Sequence, residues 1–516
     1  MSSRPKLLII ALGEAAPDLI ASWADAGRLP TFARLRAHGA TGLLRSQLPL
    51  ITPQMWGTII TGKTPGRHGA FDFWQRGADG RFREINGGAL YEPPLWRVLG
   101  DRGLACGIVN VPFTFPPQRI NGFMIAGQDA PGAHRAIAQP PEVYDELVRR
   151  FGRYHLKDIF PGGRKKTDYL TLIEDEVTRQ TTALEHLLTT RSWDLFFTFF
   201  SATAMAQHYF WSDMESADPQ NPFRGVIEAT YRSLDAAVAR LMAAAGPDAI
   251  VCVFSECGAG RLQSGIQINA WLSHEGFLAW KRPPETNGAS DCGGAGKGSS
   301  PLKRAIAGVM KRAKRAVPPS MFYWANVATQ GVRGQLESYL ADSGIAWERT
   351  QAFSRGKEGD IFINLKGRDP RGIVAPGAEY DAVCARITER LMALVDPETG
   401  QRPVTRVYRA KELYAGPWEA SAPDLTVAWK GCVYMPTEDE GDRKTVFVPR
   451  QRQHMDWPTT GSHRMDGLLA FAGPGIANGS AVTGARLIDL FPTWLSLLGQ
   501  PVPDGLGGRV IEGLRA

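Results

Sequence analysis

Short, wholly apolar runs separated by amphipathic stretches are the feature that most restricts the fold of this chain. Leu7–Leu12 is predicted to be a buried strand, and Pro17–Ala26 a helix with proline in its first turn. Further strand candidates, rich in Ile, Val and Phe, are Cys106–Val111, Leu195–Phe200 and Ala249–Phe254. Strands that alternate with helices indicate a mostly parallel sheet covered on both faces. The sequence therefore predicts an α/β fold with a mostly parallel central sheet flanked by helices.

Composition excludes several classes of protein. Of the 516 residues, 43% are hydrophobic and 22% charged, a mixture that is typical of globular proteins and excludes global disorder. No run approaches the roughly 18 apolar residues of a membrane-spanning helix. Leu7–Leu12 is too short for a signal-peptide core. Six cysteines without CxxC spacing argue against a disulfide framework or a cysteine-rich zinc site. We therefore expect a cytoplasmic protein.

The middle of the chain interrupts the alternating pattern. Eleven of the nineteen residues 283–301 are Gly, Ser or Pro, which is typical of a flexible connection. A basic stretch with an apolar stripe, 297–315, is predicted to form a short amphipathic helix. We expect 1–281 to form the first part of the α/β core, 282–344 a linker and inserted basic lid, and 345–516 the remainder of the core.

The net charge of +7 comes from this inserted segment. Eight Lys or Arg residues and no acidic residue lie between Cys292 and Leu336, so that the rest of the chain carries about −1. Charge concentrated in one segment gives no reason to expect specific nucleic-acid binding. Residues 297–315 are predicted either to contact an anionic surface or phosphate-rich ligand, or to pack as a lid helix with solvated charges.

The candidate functional residues follow the predicted strands, because ligands of open α/β sheets bind at the carboxyl ends of the strands. Gly13 and Glu14 follow the first strand without the GxGxxG spacing of a dinucleotide loop. The other candidates for catalysis and binding are Thr52, Lys63, Arg67, His208, Glu256, Cys257 and His463.

Nine stretches occur in a recognisable order between about Lys6 and Gly508. They are GRLPTFARLRAHGA, PLITPQMWGTIITGKTPGRHGAFDF, NVPFTFPP, AQHYFW, INAWLSHEGFL, INLKGRDPRGIV, APDL, GSHRMDG and LIDLFPTWLSLLGQPVP. This order resembles the type I phosphodiesterase and nucleotide pyrophosphatase branch of the alkaline phosphatase superfamily. The resemblance implies an alkaline-phosphatase-like fold with an inserted cap or lid region.

The resemblance also implies a two-metal phosphoesterase that acts on an anionic small molecule. In such a family a threonine hydroxyl attacks phosphorus, and two zinc ions activate it and hold the leaving oxygen. Thr52 corresponds to this nucleophile. One metal would be bound by aspartate at position 13 and by aspartate and histidine at positions 256 and 257. The other would be bound by aspartate at position 204, by His208 and by His463.

Four of these positions depart from the family's pattern. Gly13 and Ala204 offer no ligand atom, and Glu256 and Cys257 replace the aspartate–histidine pair. A carboxylate and a thiolate both bind zinc, and Glu14 joins them if the turn after the first strand is rearranged. We therefore expect one rebuilt site for a single zinc or other divalent ion, rather than two tightly bound ions.

The residues that remain from the other site are expected to contribute less. His208 and His463 have no carboxylate partner at position 204, so they would hold zinc weakly. Lys63 and Arg67 are predicted to bind the anionic substrate and to supply charge that a missing metal does not.

Three hypotheses about function follow. The first is a phosphoric ester hydrolase or transferase with Thr52 as nucleophile, and the second is a pseudoenzyme that binds a ligand or partner and needs no metal. The third is a transferase with Cys257 as nucleophile, whose thiol pKa a nearby cation must lower. Thr52 as a turn residue, Cys257 as a buried hydrophobe and His68 as a structural histidine are the plain alternatives. We expect an enzyme, because Thr52, His208 and His463 all match the family.

Overall fold

The computed structural model describes residues 4–152, 166–281, 344–356, 358–437, 443, 445–448 and 459–515. Within them the strands are β1 (Lys6–Leu12), β2 (Ala40–Arg45), β3 (Trp74–Arg76), β4 (Phe82–Glu84), β5 (Cys106–Val109), β6 (Gly122–Ile125), β7 (Ala138–Gln139), β8 (Leu195–Phe200), β9 (Ala249–Phe254), β10 (Gly258–Arg261), β11 (Ser264–Ile266), β12 (Ala352–Ser354), β13 (Ile361–Ile363), β14 (Val404–Arg409), β15 (Leu425–Trp429), β16 (Tyr434–Pro436), β17 (Phe447–Val448), β18 (Gly461–Arg464), β19 (Asp466–Ala472) and β20 (Ser480–Arg486).

The helices of the same residues surround these strands. They are α1 (Pro17–Asp25), α2 (Pro30–His38), α3 (Thr52–Thr61), α4 (Pro65–His68), α5 (Leu95–Gly100), α6 (Glu142–Phe151), α7 (Lys166–Thr190), α8 (Ala202–Met214), α9 (Val226–Ala245), α10 (Ile268–His274), α11 (Ala378–Ala393), α12 (Ala410–Leu413) and α13 (Leu490–Leu497).

In the described part of the chain, nine strands form the central sheet in the order β20-β2-β19-β9-β1-β8-β5-β6-β7. The five neighbours from β9 to β6 are parallel. Strand β19 runs antiparallel between β9 and β2, and β7 is antiparallel to β6. The predicted α/β class with a mostly parallel sheet is confirmed, and β8 and β9 have the bounds expected from their apolar runs.

Burial on both faces explains why the central strands are apolar throughout. Along β1, Leu8 and Ile10 pack in the layer formed by α1, α2 and α6 to α9. The alternate residues Leu7 and Ile9 pack in the opposite layer, to which α3, α5 and α13 contribute. Since every residue of β1 after Lys6 is buried, the first polar side chain beyond this strand lies at the edge of the sheet.

A second sheet, β12-β13-β15-β14, packs with α10 and α11 around a separate apolar cluster. Buried ion pairs connect it to the β3–β4 hairpin, because Arg76 lies 3.6 Å from Asp369 and 3.8 Å from Asp424. Arg368 donates to both carboxylate oxygens of Asp424, at 2.8 and 2.7 Å. These contacts fix β15, which forms part of the wall of the cleft described below.

His68 anchors the segment that follows α3 to the side of that helix. Its ring is fully buried, with Nε2 3.2 Å from Oγ1 of Thr58, and Nδ1 accepts the Ala70 amide at 3.2 Å. Burial lowers the pKa of His68 to about 3, and hydrogen bonding only partly opposes this. These contacts favour the structural interpretation of His68.

We expect His68 to make the protein less stable in acid. The unfolded chain binds a proton at His68 below its ordinary pKa of 6.5, whereas the folded chain does not until about pH 3. Stability therefore falls as pH falls through this window, by about 2 kcal/mol from this group between pH 7.5 and 5. In urea denaturation, His68→Asn should reduce the loss between these two pH values by that amount. An unchanged pH dependence would contradict the prediction.

No helix in the described ranges has the length and apolar character needed to cross a bilayer. Most of the predicted linker and lid, including 297–315, lies outside the described residues. The expected surface contact of that segment stays a prediction.

Candidate functional site

The loop that follows β1 places the first polar side chain of the site. Glu14 has φ 56°, in the left-handed region that costs a non-glycine residue about 1 kcal/mol or more. In this backbone conformation the side chain of Glu14 turns away from the line of β1 and toward α8 and β18. A strained residue at the carboxyl end of a central strand is a common feature of functional sites.

Glu14 lies between two histidines that come from distant parts of the chain. Nε2 of His208, on α8, lies 3.0 Å from Oε2 of Glu14, and Nε2 of His463, on β18, lies 3.2 Å from Oε1. Strand β18 is held in place by antiparallel pairing with β10, where His463 lies opposite Ala259. The side chains of Glu14, His208 and His463 are 13%, 20% and 18% exposed, so small solutes reach the cluster.

The charges of this cluster depend on one another. Burial alone would raise the pKa of Glu14, but the charges and hydrogen bonds of His208 and His463 outweigh it and hold this pKa far below its ordinary value. Burial would lower the pKa of His208, but the Glu14 carboxylate outweighs it and raises that pKa. Glu14 is therefore ionised, and the cluster attracts a positive charge, carried either by an imidazolium or by a cation.

The same three residues fit a divalent metal ion. One ligand atom from each lies within 4.8 Å of the others, and two imidazole nitrogens with one carboxylate are a donor set that zinc uses when one position stays open for substrate. Oε2 of Glu14 is buried and has no hydrogen bond of good geometry. Nδ1 of His208 lies 3.2 Å from the Gly461 carbonyl oxygen. A proton on Nδ1 leaves the lone pair of Nε2 for a metal.

The grouping of ligands in the structure corrects the one expected from the sequence. Glu14 was expected to join Glu256 and Cys257, and the two histidines were expected to lack a carboxylate. Instead, the left-handed turn carries Glu14 to His208 and His463. The carboxylate of Glu14 thus lies beside the two histidines, which have no carboxylate at position 204.

Glu256 and Cys257 lie beside this cluster but outside it. The carboxyl group of Glu256 is buried, accepts the Glu14 amide at 3.4 Å and bonds to the Trp56 side chain. Burial and the charge of Glu14 raise the pKa of Glu256 to about 8. Cys257 packs in the apolar core, and burial followed by the charges of Glu256 and Glu14 raises the pKa of its thiol well above the ordinary value. These surroundings oppose the expected Cys257 thiolate, both as metal ligand and as nucleophile.

Position 13 leaves little room for the aspartate that the resemblance implies there. A Cβ on Gly13 would lie 2.9 Å from Cζ of Phe199 and 3.3 Å from the Phe200 carbonyl oxygen. The Phe199 ring is in turn packed edge-on against Trp56, with centroids 5.2 Å apart. A side chain at this position would therefore require the Phe199 ring to move.

Thr52 is the first residue of α3 and is partly exposed. Its hydroxyl group makes no hydrogen bond to any other residue that the structure describes. Trp56, one helical turn later on the same face, contacts Glu256. Thr52 therefore lies one helical turn before a residue that contacts Glu256.

A cleft opens at His463. Its described lining residues are Leu48, Pro49, Leu50, Glu358, Val427, Trp429, Cys432, Tyr434, Met435, Ser462 and His463. The segment just before Thr52 thus forms one wall and β15 and β16 another. The lining residues Val427, Trp429, Cys432, Tyr434 and Met435 were not among the candidates expected from the sequence, although their place at and after the apolar run of β15 was a usable signal.

The contacts of Lys63 and Arg67 lie outside the cluster. Lys63 follows the C-terminal end of α3, and the rise from Thr52 to Thr61 along that helix is about 14 Å. Nζ of Lys63 donates to the Gly505 carbonyl oxygen at 2.6 Å, and Nε of Arg67 lies 3.5 Å from Oε1 of Glu92. Neither contact involves a residue of the cluster, and their expected role in substrate binding stays a prediction.

Comparisons with known proteins agree with this fold. The model of the family described as "Type I phosphodiesterase / nucleotide pyrophosphatase" matches residues 7–460. No curated protein gives a significant match to the sequence. The solved phosphonoacetate hydrolase from Sinorhizobium meliloti 1021, in complex with phosphonoformate, is 14% identical, with a TM-score of 0.56 over 96% of this chain and 95% of that chain.

Human ectonucleotide pyrophosphatase / phosphodiesterase 5 is 11% identical, with a TM-score of 0.48 over 96% of each chain. At these identities the hydrolase structure shows a shared fold, and the match of the family model over most of the length carries the assignment. The chain therefore belongs to the type I phosphodiesterase / nucleotide pyrophosphatase family.

Proposed function

We propose that this protein cleaves phosphoric or related esters at a single divalent-metal centre, with Thr52 as the nucleophile and Glu14, His208 and His463 as the metal ligands. The observation that carries the proposal is the position of Glu14. Its carboxylate completes a ligand set with His208 and His463, the two histidines of this chain that match the family's pattern. Zinc is the ion that best suits two nitrogens and one oxygen.

The chain's own residues supply the nucleophile and the binding of the substrate. When bound, the cation stabilises negative charge on the phosphoryl group and lowers the pKa of an oxygen nucleophile. The phosphoryl group lies at the N-terminus of α3, where the backbone amides and the helix dipole favour an anion. The rest of the substrate lies in the cleft beside Trp429 and Tyr434.

The reaction proceeds by two displacements at phosphorus. Oγ1 of Thr52 forms a bond to phosphorus while the bond to the ester oxygen breaks. The hydroxyl proton passes to water in the cleft, and the departing alcohol oxygen takes a proton from water. Water then attacks the phosphorylated threonine, which releases the phosphate product and restores the hydroxyl group.

A binding protein without turnover is the second candidate. The observation that favours it is Gly13, which offers no ligand atom and where even a Cβ would lie 2.9 Å from the Phe199 ring. A centre with one metal ion stabilises less negative charge than a centre with two. The enzyme and the binding protein therefore differ in whether the remaining centre supports turnover of an ester.

Removal and return of the metal tests the proposal. Chelator-treated protein is titrated with Zn²⁺ or Mn²⁺, with the bound metal measured by elemental mass spectrometry and hydrolysis measured on bis(p-nitrophenyl) phosphate, p-nitrophenyl phosphonate esters and phosphonoacetate. We expect one ion per chain, a higher melting temperature at saturation and metal-dependent turnover of an ester. One bound ion without turnover of any substrate would favour the binding protein, and absence of binding would reject the metal centre.

A further inference from the structure

The backbone of the loop 13–16 is held by side chains from three separate elements. Four consecutive polar groups of this loop, the carbonyl oxygens of residues 13, 14 and 15 and the amide of residue 16, each have a side-chain partner. The donors to the three carbonyl oxygens are Thr203 at 2.7 Å, Gln207 at 2.9 Å and Ser255 at 2.9 Å, and the Ala16 amide donates to the Tyr231 hydroxyl at 2.6 Å.

Gln207 and Tyr231 form a continuous chain of hydrogen bonds around Glu14. Nε2 of Gln207 donates to the Glu14 carbonyl oxygen, and Oε1 of Gln207 accepts the Tyr231 hydroxyl proton at 2.8 Å. The same hydroxyl oxygen accepts the Ala16 amide. Both side chains are fully buried. The chain therefore fixes the peptide groups on both sides of Ala15.

Packing fixes the two partners as well. The Tyr231 ring contacts Trp23 edge-on, with centroids 5.2 Å apart. Gln207 lies four residues after Thr203 on α8, so both project from the same side of this helix toward the loop. Ala204 and His208 form the neighbouring stripe, and both are partly exposed. Helix α8 thus holds the loop backbone through Thr203 and Gln207, and it places His208 against the Glu14 carboxylate.

From this arrangement we infer that Gln207 and Tyr231 are positioning residues, which hold Glu14 in its left-handed conformation so that its carboxylate meets His208 and His463. The inference rests on the proposed function where it gives this carboxylate a purpose, which is metal binding. The hydrogen bonds that hold the loop do not depend on the proposed function. Without Gln207, the Glu14 carbonyl oxygen loses its donor and the Tyr231 hydroxyl loses its acceptor. The peptide then rotates toward an unstrained conformation, and the side chain of Glu14 leaves the two imidazoles.

The test compares Gln207→Leu with a matched control. Asn269→Leu also removes an amide side chain that makes two hydrogen bonds to backbone, to the Ser354 carbonyl oxygen at 2.9 Å and from the Ser354 amide at 2.7 Å. Asn269 lies on α10, beside the second sheet. Each variant is measured for melting temperature, for Zn²⁺ affinity by competition with a chelating dye, and for amide hydrogen exchange of the metal-free protein in peptides covering 12–16.

We expect both variants to melt at a lower temperature. Only Gln207→Leu should bind Zn²⁺ about 10- to 100-fold more weakly, as is usual when a residue that orients a metal ligand is lost. Only this variant should exchange the amides of 13–16 faster. If Gln207→Leu does not fold, Tyr231→Phe, which removes a single hydroxyl group, should show the same two effects in smaller measure. Unchanged Zn²⁺ affinity in a folded variant would overturn the inference.

Failure of the proposed function has a different signature. If the wild-type protein binds no divalent ion, the metal centre is rejected and hydrogen exchange alone decides. Faster exchange of 13–16 in Gln207→Leu than in Asn269→Leu would then still support the positioning role. Equal exchange in the two variants would overturn it.

Discussion

Replacement of Thr52 by alanine is expected to lower the turnover of a phosphodiester by at least about 10³-fold, because a nucleophile that forms a covalent intermediate cannot be replaced by its neighbours. The bound metal should stay at one ion per chain, since Thr52 is not in the cluster of Glu14, His208 and His463. Steady-state kinetics and elemental mass spectrometry on the same preparation check both statements.

Two variants serve as controls for this result. Thr52→Ser keeps a hydroxyl group at the start of α3 and should retain measurable turnover. Cys257→Ala should change kcat by less than about threefold, because the Cys257 thiol is buried and its pKa is raised. Loss of turnover in Cys257→Ala with activity left in Thr52→Ala would instead establish the thiol as nucleophile.

Replacement of Glu14 by glutamine is expected to weaken Zn²⁺ binding by at least about 100-fold. The two side chains have the same size, so that the left-handed turn and the hydrogen bonds of its backbone are retained. The change removes the only negative charge of the three-residue cluster, and neutral oxygen ligands hold zinc far less well than carboxylate. Competition with a chelating dye measures the affinity.

Glu256→Gln is the matched control, since Glu256 is adjacent to Glu14 but outside the cluster. We expect its Zn²⁺ affinity to stay within about threefold of wild type. A large loss in Glu256→Gln, with little change in Glu14→Gln, would restore the ligand grouping that the sequence suggested.

The central sheet was predictable because its cause is local. Strands β8 and β9 are buried on both faces, so they are apolar at every position and their ends coincide with the ends of the apolar runs. The two layers of helices that cover the sheet did not need to be known for this prediction. Thr52, His208 and His463 were likewise found from motif order.

The places of Lys63 and Arg67 were not predictable from proximity in sequence. Both follow Thr52 closely along the chain, but Lys63 lies beyond the C-terminal end of α3 and Arg67 lies on α4. The order of residues along the chain does not show the direction in which a basic side chain points. Here the side chains of Lys63 and Arg67 both contact residues outside the cluster.

By itself, the sequence determined the fold and the family, since these follow from apolar periodicity and motif order, and it proposed Thr52, His208 and His463 as candidate site residues. The tertiary structure alone decided that Glu14 joins the two histidines. That outcome depends on one backbone rotation at Glu14 and on hydrogen bonds with Gln207 and Tyr231, about two hundred positions away along the chain. Interactions between residues so far apart leave no local pattern, because their geometry exists only once the helices have packed on the sheet.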